Sequence, residues 1–392
     1  MLKQKFYWLF LIVLLLLGLY YFWDWYSAEY ESAQVEVVFT PFKRVAMDRL
    51  LETIRKAEKS IDVAMFWLTD PEIMEALAKQ AKNGVSVRII IDENTVAERR
   101  FFDRFDKMVK EGVKVFIEKE PGKLHLKCAI IDNKLLITGS ANWSSYGFLM
   151  NLEDVLFIQS RKIVNSYKNK WNWLYKKAKP WVREEIANRL VYSRTNPGVD
   201  PNIDYSRIMG GTEREWSGEI QEKFSIIAKD IESYYTPSRD GQLSSGVGML
   251  VKDIEQSVRE IKAAMYYVMD GDVINKLVEA AKRGVEVKVV ISEKMLRGPV
   301  SKILEMLERN GIKVYLPPLD GGTQQGSMHL KCMTIDDRIV WTGSANWTLN
   351  AKELNIEDYI RIENEALAKF YSNYFNALLK ISPEYKTTAS NR

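Results

Sequence analysis

Between residues 31 and 177 the apolar positions follow two rhythms. Short runs in which every residue or every second residue is apolar predict strands at Val35–Phe39, Ile61–Trp67, Val85–Ile91 and Val113–Ile117. Between the first two the spacing lengthens. Ala46, Leu50, Leu51, Ile54 and Ala57 share one face of a helix drawn over Phe42–Lys59. Pro71–Asn83 reads as a second helix, with proline in its first turn and Gly84 as its stop. Strand–helix alternation predicts an α/β layer with a mixed sheet covered by helices on both faces.

The pattern then repeats. "LHLKCAIIDNKLLITGSANW" (Leu124–Trp143) returns as "LKCMTIDDRIVWTGSANW" (Leu330–Trp347), preceded by Met328-His329, at an offset of 204. The match continues through "NLED" (Asn151–Asp154) and "NIED" (Asn355–Asp358), and Tyr167 and Trp171 pair with Tyr371 and Phe375. Upstream, Ala81–Asn94 matches Ala281–Lys294 at an offset of 200. Copies of this length predict two tandem domains, not a solenoid. The expected boundaries are 31–177 and 226–392, with a linker over 178–225 marked by "TNPGVDPN" (Thr195–Asn202) and Gly210-Gly211.

One further segment has no polar rhythm. Phe6–Trp23 is 18 uncharged residues, long enough to span a bilayer. Lys3 and Lys5 precede it, and Asp24, Glu29 and Glu31 follow, which predicts a cytoplasmic N-terminus and a body outside. No small-x-small cleavage site follows, so residues 1–30 read as an uncleaved membrane anchor rather than a signal peptide.

Composition narrows the choices. A net charge of +4 over 392 residues excludes a general polycation, and two cysteines exclude a disulfide framework. Charge is concentrated locally instead. Residues 161–194 carry ten Lys or Arg against two Glu, interleaved with Trp171, Trp173, Tyr175 and Trp181. That stretch fits a helix with a solvated basic face, or a surface for headgroups or nucleic acid.

The chain has only two histidines, and each sits at the same place in the duplicated phrase. On the alternating strand His125 and Lys127 share one face, while Cys128 points into the layer beneath. The same holds for His329, Lys331 and Cys332. A hairpin return brings Ser140 and Asn142, or Ser344 and Asn346, to the same cluster. A cation, an imidazole, a hydroxyl and an amide suit a tetrahedral anion.

The phrase resembles the HKD motif of the phospholipase D superfamily: His-x-Lys, four residues, Asp, six residues, Gly-Ser-x-Asn. Both copies fit it, and the resemblance covers nearly the whole chain after the anchor. It implies two homologous α-β-α sandwich domains with mixed sheets, meeting about a pseudo-twofold axis as a monomer with an intramolecular pseudo-dimer. One histidine attacks phosphorus and forms a phosphohistidine; the other protonates the leaving oxygen. His125 is the expected nucleophile, His329 the acid and base. Glu153 and Glu357 are expected to orient the imidazoles, and Asp132 and Asp336 to serve as turn or domain-contact residues. No metal or other cofactor is expected.

Two motifs in one chain and an outward-facing anchored body favour a phospholipid phosphodiesterase or transferase. A membrane-anchored nuclease is the alternative, and a non-catalytic scaffold sits poorly with two intact motifs. The Gly-rich loop Pro317–Met328, longer than its counterpart, is a candidate lid or selector.

Overall fold

The computed structural model describes residues 2–29, 31–96, 98–119, 121–188, 221–237, 245–296, 301–318 and 326–387. Two mixed sheets form its frame. The first runs, in spatial order, β8 (Lys179–Pro180), β4 (Lys114–Glu118), β3 (Ser86–Asp92), β2 (Ser60–Met65), β5 (Lys127–Ile131), β6 (Leu135–Gly139), β7 (Asp154–Gln159), β1 (Ala33–Phe39) and β9 (Lys223–Ala228). The second runs β10 (Asp230–Thr236), β16 (Glu357–Glu363), β15 (Ile339–Gly343), β14 (Lys331–Ile335), β11 (Glu260–Met265), β12 (Glu286–Ile291) and β13 (Lys313–Tyr315). In both, three parallel strands adjoin an antiparallel block, and the seam has the same register: Met65 faces Lys127 and Met265 faces Lys331.

The helices fall where the apolar spacing puts them. The helix Val45–Arg55 buries Ala46, Leu50, Leu51 and Ile54. The helix Pro71–Lys82 is capped by Asp70, whose carboxylate accepts from Glu72 N and Ile73 N, and it ends before Gly84 at φ 91°. Asp270 caps the matching helix Gly271–Lys282 in the same way.

Outer helices cover the far face of each sheet. The near faces share one central core, where the helices Arg161–Lys177 and Glu365–Ile381 pack between the sheets. Phe39 of β1 stacks on Tyr374 at 3.8 Å between centroids, and Phe224 of β9 on Phe370 at 5.0 Å. The halves therefore bury apolar area against each other as a domain interior does.

The expected linker starts and ends differently. Lys179-Pro180 pairs with β4, Trp181 stacks on Phe102, and Ile186 enters the first outer core. At the other end β9 pairs with β1, so the boundary expected at 225–226 falls inside a strand of the first sheet. Thr195–Asn202 and Gly210-Gly211 lie outside the described residues, as does part of the Pro317–Met328 loop.

The apolar N-terminal run is helical, within Leu2–Glu29. Among the described residues no helix is long and apolar enough to cross a membrane, so the span expected over 6–23 is not established by the fold. Large side chains of this run, among them Trp8, Leu15 and Tyr20, are exposed.

Candidate active site

Each motif histidine sits just before the central strand of its sheet, and its backbone is tied to the other half. His125 N donates to Ile356 O at 2.9 Å, and His329 N donates to Leu152 O at 3.0 Å. Short parallel bridges, Leu124 with Ile356 and Leu152 with Met328, extend the contact. Close approach needs glycine at Gly122 and Gly326. A Cβ there would lie 1.8 Å from Leu354 O and 1.7 Å from Met150 O, respectively.

This crossing exchanges the carboxylates. His125 Nδ1 lies 2.7 Å from Glu357 Oε2, and His329 Nδ1 lies 2.7 Å from Glu153 Oε1. Both glutamates are fully buried. A proton on Nδ1 shared with the carboxylate leaves Nε2 as the free nitrogen of each ring.

The aspartates that follow the glutamates fasten the same crossing. Asp154 accepts from Ser140 N at 3.0 Å, from Tyr371 OH at 2.8 Å and from the Thr342 hydroxyl. Asp358 accepts from Ser344 N at 2.9 Å, from the Thr138 hydroxyl at 2.6 Å and from Tyr167 OH. Each half thus holds its neighbour's aspartate with a threonine and a tyrosine. Buried carboxylates are tolerated where their oxygens are hydrogen-bonded in this way.

The lysines are buried beside the histidines. Lys127 Nζ donates to His125 O at 2.6 Å; Lys331 Nζ donates to His329 O. Burial lowers the Lys127 pKa to about 7, with Glu357 opposing the shift and Lys331 adding to it. Burial likewise brings Lys331 to about 8, against the pull of Glu153 and Glu357. Both imidazoles are pushed below their ordinary value, chiefly by burial; Glu357 opposes this at His125, whereas Lys331, Lys127, His125 and Lys294 deepen it at His329. Glu153 is pushed up to about 7 by burial. Burial acts on Glu357 too, but His125, Lys127 and Ser344 outweigh it and hold this carboxyl below its usual range.

The remaining motif residues divide by what they touch. Ser140 and Ser344 are fully buried. Ser344 Oγ donates to Glu357 at 2.7 Å and accepts from Asp358 N, and Ser140 Oγ accepts from Asp154 N. Ser344 Oγ thus braces a carboxylate from behind and Ser140 Oγ holds a backbone N–H, so the expected donation from serine to a phosphate oxygen is not the arrangement of these hydrogen bonds. Asn142 and Asn346 each keep a buried amide oxygen without a hydrogen-bond partner. Asp132 and Asp336 lie at the turns, at φ 52° and 56°, each accepting from three backbone N–H groups of the segment before the neighbouring strand. Cys128 and Cys332 are buried, and burial raises both thiols well above their ordinary value.

Two residues of the site were hidden in what reads as strand. The strand ends at Met65, and Phe66 lies 4.9 Å from the His125 ring; Tyr266 lies 4.5 Å from the His329 ring. These rings pack against the imidazoles. Among the described residues no group of three or more His, Cys, Asp or Glu is placed to hold a metal ion.

Comparison with known proteins shows the family. Residues 50–175 and 250–379 match the family model described as "Cardiolipin synthase, PLD-like domain". A phospholipase D of Rickettsia conorii is 32% identical over 151 residues, covering 38% of this chain and 73% of that protein. A cardiolipin synthase of Clostridium perfringens is 25% identical over 359 residues, covering 85% of this chain and 68% of that protein. Among solved structures, phosphatidylserine synthase from Haemophilus influenzae covers 91% of this chain and 89% of its own at 14% identity, with a TM-score of 0.64, a likeness of fold.

Proposed function

The chain belongs to the cardiolipin synthase, phospholipase D-like family, and from that premise we propose that it hydrolyses or transfers phosphodiesters of phospholipids through a phosphohistidine, without a metal. The observation that carries this reading is the exchanged pair: His125 on Glu357 and His329 on Glu153, each at 2.7 Å. With Nδ1 held by glutamate, Nε2 of one imidazole attacks phosphorus as the bond to the leaving oxygen breaks. The other imidazole, protonated on Nε2, gives that oxygen its proton. It then takes a proton from water or an alcohol, which attacks phosphorus and releases the histidine. Lys127 and Lys331 offset the charge on the non-bridging oxygens, and Asn142 and Asn346 turn their amides toward them. The resemblance assigns attack to His125 and proton transfer to His329.

The resting electrostatics suit this cycle. Burial and the neighbouring lysines favour neutral imidazoles, as a nucleophile requires. An arriving phosphodiester brings negative charge, which lets one imidazole take up the proton that the leaving group needs.

We also infer that the N-terminal helix lies in a bilayer, its N-terminus cytoplasmic and the body outside. Support comes from the uncharged run, its flanking charges and the exposure of its described side chains such as Trp8, Leu15 and Tyr20.

One observation favours a second reading, a nuclease. The anchor joins β1 at Ala33, whereas the site lies beyond its other end, where Thr40 donates to Asn151 O. Seven strand residues separate these ends by about 23 Å. An upright anchor would hold the site away from its own bilayer, within reach of a soluble polyanion. The lipid reading needs the body to lie along the membrane, and the helix Arg161–Lys177 offers a surface for that. It has six cations and no acid, whereas its counterpart Glu365–Ile381 has two lysines and one glutamate. The deciding experiment gives the full chain labelled phospholipid in vesicles and labelled single-stranded DNA, both in EDTA. Turnover of lipid alone supports the first reading, turnover of DNA alone the second. Loss of all activity on chelation, restored by metal, contradicts both.

A further inference from the structure

Because the halves are copies, a difference between equivalent positions at the mouth of the site is informative. Beside Phe66 the first half places Asp92 and Asn94. Asn94 Nδ2 donates to Asp92 Oδ1 at 2.9 Å, and Asp92 Oδ2 accepts from Leu124 N at 2.8 Å. That side is closed on itself, and the nearby Lys123 has the Asp92 carboxyl beside it.

At the equivalent positions the second half has Tyr266, Ser292 and Lys294. Lys294 Nζ donates to Tyr266 OH at 3.2 Å and to Ser327 Oγ at 3.0 Å. Ser327 is itself fixed, its N–H donating to Asn151 Oδ1 at 2.9 Å. The ammonium is therefore held by two neutral hydroxyls, and among the described residues it has no carboxylate partner. Its Nζ lies 5.3 Å from the centroid of the Tyr266 ring, and Lys331 Nζ lies 5.3 Å from the same centroid. The two ammonium groups are thus no more than twice that distance apart. Lys331 is buried beside the imidazole, whereas Lys294 is exposed at the rim.

A cation held in place without a counter-charge, next to a phosphate site, is an arrangement that favours a second anion. We propose that Lys294, positioned by Tyr266 and Ser327, forms an anion subsite on the His329 side of the site. It takes a second phosphate or carboxylate, carried by the leaving group of the diester or by the alcohol that replaces it. This rests on the diesterase reading above. With attack from His125, the leaving group departs on the His329 side, where Lys294 stands. The first half, with Asp92 and Asn94 in these places, offers no equivalent.

Two headgroups that differ by one carboxylate test it. Binding of glycerophosphoserine and glycerophosphoethanolamine to the full chain is measured by calorimetry, and kcat/KM is measured on phosphatidylserine and phosphatidylethanolamine in mixed micelles. The proposal expects the serine compound to be preferred, with Lys294→Ala lowering the serine-to-ethanolamine ratio roughly fivefold or more, the size expected of a charge-assisted contact at a partly exposed site. Lys294→Arg keeps the ratio, Tyr266→Phe lowers it less, and Lys313→Ala, remote from the site, leaves it unchanged. A parallel pair, the thymidine dinucleotide with and without a terminal phosphate, separates a nucleic-acid source of the second anion from a lipid one. Equal loss on both members of each pair, or an unaltered ratio in Lys294→Ala, overturns the subsite. Absence of turnover on these diesters and on bis(p-nitrophenyl) phosphate, with the binding preference intact, overturns the diesterase reading and leaves the subsite standing.

Discussion

Glu357 Oε2 meets Nδ1 of His125 at 2.7 Å across 232 positions of sequence. The carboxylate that fixes the ring of one half comes from the other, and Glu153 returns the contact to His329. Neither half alone contains an oriented imidazole. Duplication therefore supplies more than a second histidine: each copy completes its partner's site.

Glu357→Gln keeps the shape of the side chain and removes its charge. A carboxamide can turn its NH2 toward Nδ1 and favour the wrong tautomer. The expected outcome is a fall in kcat of about 10²-fold or more, by analogy with loss of an orienting carboxylate elsewhere. Glu365→Gln, at the first turn of the helix Glu365–Ile381, should leave kcat within about twofold of wild type. Steady-state kinetics on bis(p-nitrophenyl) phosphate provide the check.

Lys127→Ala and Lys331→Ala each remove a buried cation that the proposed mechanism sets against the phosphate. Losing one such stabilising group typically costs about 10²–10³ in rate. The loss should appear in kcat/KM with thermal melting still cooperative, and an unaltered rate in both variants would place the lysines away from the phosphate.

The pH profile follows from the direction of each shift. The nucleophile must be unprotonated, and both histidines are lowered from 6.5, so kcat/KM should hold below pH 6.5 before falling. The lysines must be charged. Lys127 near 7 and Lys331 near 8 lose their protons as pH rises through those values, so the basic limb should begin near 7 to 8 rather than near 10.5. Lys127→Arg, which removes the first of the two to titrate, should move the start of that limb upward toward 8.

Much of this was legible in the sequence, because local rules wrote it twice. Alternation put His125 and Lys127 on one face and Cys128 on the other, and Pro71 and the Gly84 stop bounded a helix. What the repeat could not show was which copy faces which. An offset of 204 makes Glu153 and Glu357 equivalent, yet it is silent on their exchange. Ser140 and Ser344 were expected at the phosphate because a hydroxyl suits an anion; the buried carboxylates behind them had the stronger claim. Phe66 read as strand because an apolar residue continues the pattern past the point where pairing stops. The expected linker–domain boundary fell within β9 because its partner, β1, lies roughly 190 residues away.

Gly122→Ala and Gly326→Ala test the crossing itself. Each Cβ would meet a backbone carbonyl of the other half at under 2 Å, so the segments must separate. Activity should fall at least tenfold, and a lowered melting temperature should accompany it, since backbone that cannot give way makes such clashes expensive.

The central claim is that two histidines share one site with distinct roles. Wild type, His125→Ala and His329→Ala are mixed with bis(p-nitrophenyl) phosphate, quenched in a form that preserves phosphohistidine, digested and mapped. The account predicts the covalent adduct on His125 in wild type, none in His125→Ala, and an adduct in His329→Ala that forms and breaks slowly, since this leaving group needs little help from an acid. An adduct on His329 alone would reverse the assignment, and substantial turnover of an ordinary diester by either single variant would contradict the shared site.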